Sequence, residues 1–481
     1  MNYKMVFYTI GRILQIEAVL MVLPLMVAII YGEVPSVFAF TVTLILEFLI
    51  GTLATSFMKI KNRIIYSKEG FAIVALAWVI MSAAGAAPFV ISGEIPSYVD
   101  AFFETVSGFT TTGASILENV EALSKSMLFW RSFTHWIGGM GVIVFVMALI
   151  PNISERSIHI MRAEMPGPVV DKIVPKIKNT AKILYLIYIA LTLSQTFFLL
   201  LGGLDLFESI VYSFATAGTG GFGLKGDSFA GYSPYVQWVI TAFMLIFGVN
   251  FNLYYLVLIR RAKAAVRSTE LWCYLGIVTV AAFLIALNIN PSFGSVSDTI
   301  RHSFFQVASI ITTTGFSTAD FNLWPTFSKT VIILLMFVGG CAGSTAGGLK
   351  VSRVMIIIKT VMREFRNLVH PRSVSAVRHE GKAVEDRTAY GVCVYFAIYM
   401  LCFMAVFLLL SFDKFDIETN FTATVTTINN IGPVLGSLGP MSSLADFSAF
   451  SKIVLSFSML LGRLELYPLL LALTPGIWRK K

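Results

Sequence analysis

The sequence predicts an all-α membrane protein: ten transmembrane helices plus four re-entrant pore half-helices, set in four pseudo-symmetric helix–pore-loop–helix repeats behind an N-terminal helical hairpin. Three observations predict it: a composition suited to lipid, a one-sided distribution of charge, and four glycine-ended segments that share one pattern. Apolar residues make up 56% of the 481 and charged residues 13%, about half the charged share of a soluble domain. Apolar runs long enough to cross a bilayer recur along the chain. Spans are expected near 8–31, 36–58, 69–92, 127–150, 181–203, 235–259, 271–292, 327–358, 388–411 and 449–475. The first has no small-residue cleavage site after it and reads as a retained helix.

Charge gives the orientation. With a cytoplasmic N-terminus, the segments on that side are 1–7, 59–68, 151–180, 260–270, 359–387 and 476–481. They and their flanks carry most of the basic residues, among them Lys59, Lys61, Arg63, Arg156, Arg162, Arg260, Arg261, Lys263, Arg479, Lys480 and Lys481. The opposite side collects acids such as Glu94, Asp100, Glu104, Glu118, Asp205, Asp227, Asp298, Asp320 and Asp416. This positive-inside pattern explains the net charge of +9 without a nucleic-acid partner. An acidic outer face also concentrates cations. The four cysteines lack metal-ligand spacing, and the five histidines are scattered without a nucleophile or metal constellation, so nothing points to an enzyme. His135 reads as an interfacial side chain, Glu17 and Glu47 as packing or dimer contacts before ion ligands, and Asn250 and Asn252 likewise, with lining of the vestibule left open for both.

Four outer segments are too short and too mixed to span, yet each runs into a glycine turn: 100–113, 207–221, 301–315 and 418–432. Aligned on the last glycine, eleven positions earlier stand Phe102, Ile210, Phe304 and Phe421, and six positions earlier the small residues Ser107, Ala215, Ser309 and Thr426. A span precedes and follows each. Ordinary outer loops bearing interfacial helices would not share these columns. The expected units are an N-terminal two-helix unit at 1–66 and repeats at 67–152, 178–264, 268–366 and 386–478.

Loop backbone at membrane depth survives only where it is buried in protein or lines a water-filled cavity. A dehydrated potassium ion needs a cage of oxygens, which carbonyls supply without fixed charge. Carbonyls converge on one axis when some residues take positive φ, as glycine does at little cost. The candidate ligands are Thr110, Thr111, Thr112 and Gly113; Gly218, Thr219, Gly220 and Gly221; Thr312, Thr313, Thr314 and Gly315; and Asn429, Asn430, Ile431 and Gly432. In the second set the three glycines leave a one-residue shift open. The fourth lacks hydroxyls, so its carbonyls must suffice. A half-helix before each loop aims its negative dipole end at the centre and favours a cation there.

These segments resemble those of the Trk/Ktr/HKT superfamily of potassium and sodium transporters, and the extra helix pair at 8–58 is similar to its TrkH-type branch. The resemblance covers essentially the whole chain. It implies that each repeat supplies one filter segment, and that glycine at all four ends marks potassium rather than sodium. Within the span 327–358, five glycines fall in residues 339–350, each weakening a helix by about 1 kcal/mol. Leu349 stands where a phosphate loop needs lysine and no strand precedes the stretch, so it is not read as a phosphate loop. The residues alone fit either a helix-packing face or a break. The resemblance implies an intramembrane gating loop, with Gly343, Ser344, Thr345, Ala346, Gly347, Gly348 and Lys350 as its parts. Lys350 would face the cavity or reach toward the cytoplasmic side.

Arg463 and Glu465 lie inside the last span, where charge is costly and by default functional. Residues two apart on a helix do not face each other, so Glu465 is expected to pair with another helix. The resemblance makes Arg463 an electrostatic barrier below the filter. It also implies a homodimer in the bacterial inner membrane, regulated by a cytosolic nucleotide-binding ring docked on the basic segments. Potassium is the bound and transported ion and no other cofactor is expected. The rival reading is a potassium- or sodium-coupled symporter with alternating access, which broken helices and repeats also fit.

Overall fold

The computed structural model describes residues 1–57, 67–141, 177–290, 294–372 and 375–478. Lys59, Lys61, Arg63, Arg156, Arg162, Arg479, Lys480 and Lys481 lie outside the described residues, as do the far end of the span expected at 127–150 and most of segment 151–180.

Among the described residues, six helices have the length and apolarity to cross a membrane: Tyr3–Tyr31, Val34–Phe57, Lys68–Ser92, Ala181–Leu201, Thr269–Ile289 and Asp386–Leu410. They match six of the expected spans within a few residues. Their outward faces are large and apolar, with Leu49, Leu53, Leu401 and Leu408 exposed, as lipid-facing side chains must be. Inside, one continuous apolar core runs from Met5 to Leu469.

Of the other expected spans, one is described only in its first part and three are broken, each break with a local cause. The span expected at 127–150 begins as Lys125–Gly139. That at 235–259 is two helices, Pro234–Phe247 and Phe251–Leu258, bent by 88°. Asn250 caps the second by accepting the Asn252 N–H at 2.9 Å, a start signal that the sequence carried. That at 327–358 comprises Thr326–Met336 and Val351–Val369 with the glycine-rich stretch between. The last, at 449–475, ends at Arg463 and restarts as Tyr467–Leu473. Pro468 explains this break: it has no N–H for the Leu464 carbonyl and its ring crowds the preceding turn. Pro24 and Pro88 mark the interruptions at Met21 and Ala86 in the same way.

In the N-terminal pair, Tyr3–Leu20 crosses Val34–Phe57 backbone to backbone. A Cβ on Gly51 would stand 2.6 Å from the Gly11 carbonyl, the close approach that small residues permit between membrane helices. Glu17 and Glu47 are buried within the chain, so they are not available as surface contacts. One small departure from all-α architecture is an antiparallel pair, Arg378–His379 with Lys382–Ala383. Its two-residue turn, Glu380 and Gly381, has positive φ at both positions, as tight hairpins require.

Candidate functional site

Four short helices, Tyr98–Phe109, Leu206–Ala217, Val296–Ile311 and Ile417–Ile428, converge on one place. Each begins on an oxygen-bearing cap, Ser97, Asp205, Ser295 and Asp416, whose side chain accepts a backbone N–H of the first turn. Each ends the same way. Thr110, Gly218, Thr312 and Asn429 are the C-caps, with ψ near zero. The next residues, Thr111, Thr219, Thr313 and Asn430, are left-handed with φ of 54, 55, 57 and 54°. Two positions on, Gly113, Gly221, Gly315 and Gly432 are again at positive φ, 78, 85, 88 and 101°. The second segment therefore aligns with the others without the one-residue shift. Alternation of hand brings successive peptide groups into line. Threonine at positive φ is a true outlier, worth about 1–3 kcal/mol of strain at each site and characteristic of functional backbone.

The four segments close into a ring. A Cβ on Gly113 would stand 1.9 Å from the Gly220 oxygen, one on Gly221 1.8 Å from the Thr314 oxygen, one on Gly315 2.1 Å from the Ile431 oxygen, and one on Gly432 2.7 Å from the Thr112 oxygen. Each glycine thus abuts the carbonyl of the residue just before its neighbour's glycine, and the fourth segment returns to the first. All four glycines line one open vestibule.

Side chains behind the ring are engaged in holding it. The Thr110 and Thr112 hydroxyls bond each other at 2.8 Å, as do those of Thr312 and Thr314. Asn430 donates to the Thr112 hydroxyl and the Met459 carbonyl, both at 2.9 Å. Asn429 is locked to the Tyr399 hydroxyl. The asparagines of the fourth segment therefore tie it to its neighbours.

Two buttresses were not legible as such in the sequence. His135 is not interfacial: it is fully buried behind the second segment. Its Nδ1 lies 2.8 Å from the Gly108 carbonyl and its Nε2 accepts the Phe222 N–H at 3.3 Å, which together define the neutral Nδ1–H tautomer. A Cβ on Gly220 would stand 2.3 Å from this imidazole. The second buttress is a buried ion pair, Glu104 with Arg131 at 2.6 Å. Glu104 also accepts the Ser115 hydroxyl and Ile116 N–H, just past Gly113. Arg131 donates to the Gly223 carbonyl, just past Gly221, and lies over the Phe222 ring.

On the other side of the ring, residues 339–350 form a compact loop. Its backbone groups pair across it, Gly339 N–H to Leu349 and Val351 N–H to Gly340. It also interlocks with the broken helix at 248–250: Phe251 N–H donates to Gly343 and Cys341 N–H to Gly248. Backbone freed at one break is satisfied by the other, as the membrane interior demands. The helix-packing alternative for this stretch is thereby excluded. The loop touches the ring itself, since Gly347 N–H donates to the Thr313 hydroxyl at 2.7 Å. Lys350 turns back into the loop, is 2% exposed, and donates to the Ala346 and Gly347 carbonyls. Arg463 donates to the Thr345 carbonyl at 2.9 Å and to the Gly138 and Gly139 carbonyls at 2.5 and 3.0 Å. Glu465 pairs with Arg353 of another helix, as expected. Lys350, Arg463 and Glu465 share one cavity with Gly343, Ser344 and Gly347. Among the described residues no group of His, Cys, Asp and Glu could hold a metal ion.

Membrane-length helices around a backbone ring, with a vestibule on one side and a loop on the other, define a multi-pass membrane transport protein and not an enzyme. The chain belongs to the TrkH family of cation transport proteins, whose family model matches residues 36–479. It is 36% identical over 488 residues to the Trk system potassium uptake protein TrkH of Escherichia coli (strain K12), covering 100% of both chains. To TrkG of the same strain it is 33% identical over 99% of each. Among solved structures, the crystal structure of the potassium transporter TrkH from Vibrio parahaemolyticus is similar with a TM-score of 0.90 at 33% identity, covering 100% of each chain.

Proposed function

We propose that the chain is a potassium-selective, ion-conducting membrane subunit for potassium uptake, with the ring as its filter. The observation that carries this reading is closure of the ring: the Thr112, Gly220, Thr314 and Ile431 carbonyls meet four glycines in one cycle. Carbonyls so arranged replace the hydration shell of a monovalent cation. The left-handed Thr111, Thr219, Thr313 and Asn430 set their orientation. The relatives' names, potassium uptake proteins and a potassium transporter, agree with potassium as the ion.

In this reading the chain carries ten spans, several of them broken, and four re-entrant half-helices. They are distributed over repeats 67–152, 178–264, 268–366 and 386–478 behind the unit at 1–66. The loop 339–350 is the gate, because it stands against Thr313 on the side of the ring away from the vestibule. Arg463 adds a positive charge to that passage and pins the loop through Thr345. Both termini are cytoplasmic in a bacterial inner membrane, two copies associate, and a cytosolic nucleotide-binding ring acts on the gate. Alternating access has no specific observation in its favour.

Planar-bilayer recording of the purified protein tests the reading. Expected are unitary potassium currents with a potassium/sodium permeability ratio well above one; flux locked one-for-one to a second ion would overturn it. Deleting residues 343–348 is expected to give channels that open without any partner. Unchanged opening would remove the gate from the loop while leaving the filter in place.

A further inference from the structure

The loop does not end at its own hydrogen bonds. Glu270, on the first turn of Thr269–Ile289, is 4% exposed. One of its carboxylate oxygens accepts the Ala342 N–H at 2.7 Å and the Ser352 N–H at 3.2 Å. These donors flank the loop's central glycines, one before them and one after. A single oxygen thus holds the two limbs of the loop together, and it does so from a neighbouring helix.

The start of that helix is held in turn. Glu380, at the turn of the small hairpin, accepts the Glu270 N–H at 2.9 Å, the Ser268 hydroxyl at 3.0 Å and the Thr269 hydroxyl at 3.1 Å. Burial pushes the Glu380 carboxyl up, but hydrogen bonds from Glu270, Ser268 and Thr269 outweigh it and hold the group below its ordinary value. It is therefore an anion at neutral pH, placed on a helix N-terminus where anions are favoured. The hairpin is itself anchored on the helix leaving the loop, through Lys359 donating to the Arg378 carbonyl at 2.8 Å, and the helix that follows it, Asp386–Leu410, packs on the same helix through Ala389 and Val392 against Ile356.

We infer that Glu380 and Glu270 are positioning residues that link the hairpin at 378–383 mechanically to the loop beneath the ring. Motion of the hairpin moves the Thr269 helix start, shifts the Glu270 oxygen and releases Ala342 and Ser352 together. Gly347 N–H then leaves Thr313. The link rests on the gating role proposed for the loop and adds the route by which an event on the hairpin side reaches it. In the state described here every joint is made, so the link stabilises the loop against the ring.

Single-channel recording of the full chain in planar bilayers tests this. Charged hydrogen bonds are strong enough that Glu270→Ala should raise open probability at least about tenfold. Glu270→Gln retains an acceptor oxygen and should raise it less than about threefold. Glu380→Ala, outside the membrane helices, should raise it in the same direction, and the double alanine variant should not exceed Glu270→Ala alone, since one link is cut twice. The potassium/sodium permeability ratio should not move in any of them. Wild-type opening in both single alanine variants, multiplicative effects in the double variant, or an altered permeability ratio would overturn the link. The deletion of 343–348 in the same recordings separates the two levels. If it opens the channel and the Glu variants do not, the link falls and the gate stands; if it changes nothing, both fall.

Discussion

Gly315→Asp is expected to abolish potassium-supported growth when the chain is expressed in a potassium-uptake-deficient bacterium at low potassium. Gly315→Ser is expected to lower the potassium/sodium permeability ratio at least about tenfold. The reason is geometric before it is electrostatic. Gly315 is at φ 88°, and any Cβ there would stand 2.1 Å from the Ile431 oxygen and 3.1 Å from Pro433. The first obstacle is a backbone carbonyl, not the flexible end of a side chain, so the ring must open between its third and fourth segments. A left-handed backbone adds about 1–2 kcal/mol for a residue with Cβ. Asp would also place a carboxylate among the carbonyls that the proposed filter offers to a dehydrated cation. Gly276→Ala is the matched control, since nothing lies within 4 Å of its added Cβ. Reversal potentials in mixed potassium and sodium would check the result, and wild-type selectivity in Gly315→Asp would sink the filter assignment.

The second large effect is expected at the ion pair behind the ring. Glu104→Ala should destabilise the protein by about 3–5 kcal/mol, because it strands a buried charge. Arg131 is 3% exposed and its guanidinium would lose its only acid among the described ion pairs. Ser115 and Ile116 would lose their acceptor as well. Arg131→Met should cost a similar amount by stranding Glu104. Replacing the two together by apolar side chains should recover part of the loss, because no charge is then left alone. Thermal unfolding in detergent, followed by fluorescence-detected gel filtration, measures all three. A Glu104→Ala protein as stable as the parent would show that the pair is not what holds the first two segments.

Much of this architecture was written locally. The four glycine columns identified the ring because each segment is a contiguous piece of chain, and its conformation is dictated by residues a few positions apart. The break at 339–350 was visible for the same reason, through its five glycines. Glu465 could be assigned to another helix from helical geometry alone, and Arg353 is that partner. What escaped was long-range. Nothing near His135 in sequence indicates that Gly220 will pack on its ring. In the sequence Glu104 is one acid among those of the outer face, and nothing local marks Arg131 as its partner 27 residues on. Two bent spans read as straight in the sequence because apolar residues continue on both sides of Gly248 and of the charged Arg463 and Glu465. The signals against continuity, Asn250 as a helix cap and Pro468 as a breaker, were present but outweighed by apolar length. Residues 142–176 lie outside what the structure describes, so the expectation placed on that basic segment rests on composition.

The ring is assembled from four stretches of a single polypeptide, and only the first and third carry the same four residues, Thr-Thr-Thr-Gly. In a pore made from four identical subunits, one codon change alters the passage in four places at once, and an intermediate is never available. Here the same change alters one quadrant. If the ring is the proposed filter, ion preference can therefore drift one quadrant at a time, each step testable by selection on its own. The left-handed position shows this freedom already taken up, with threonine in three quadrants and asparagine in the fourth.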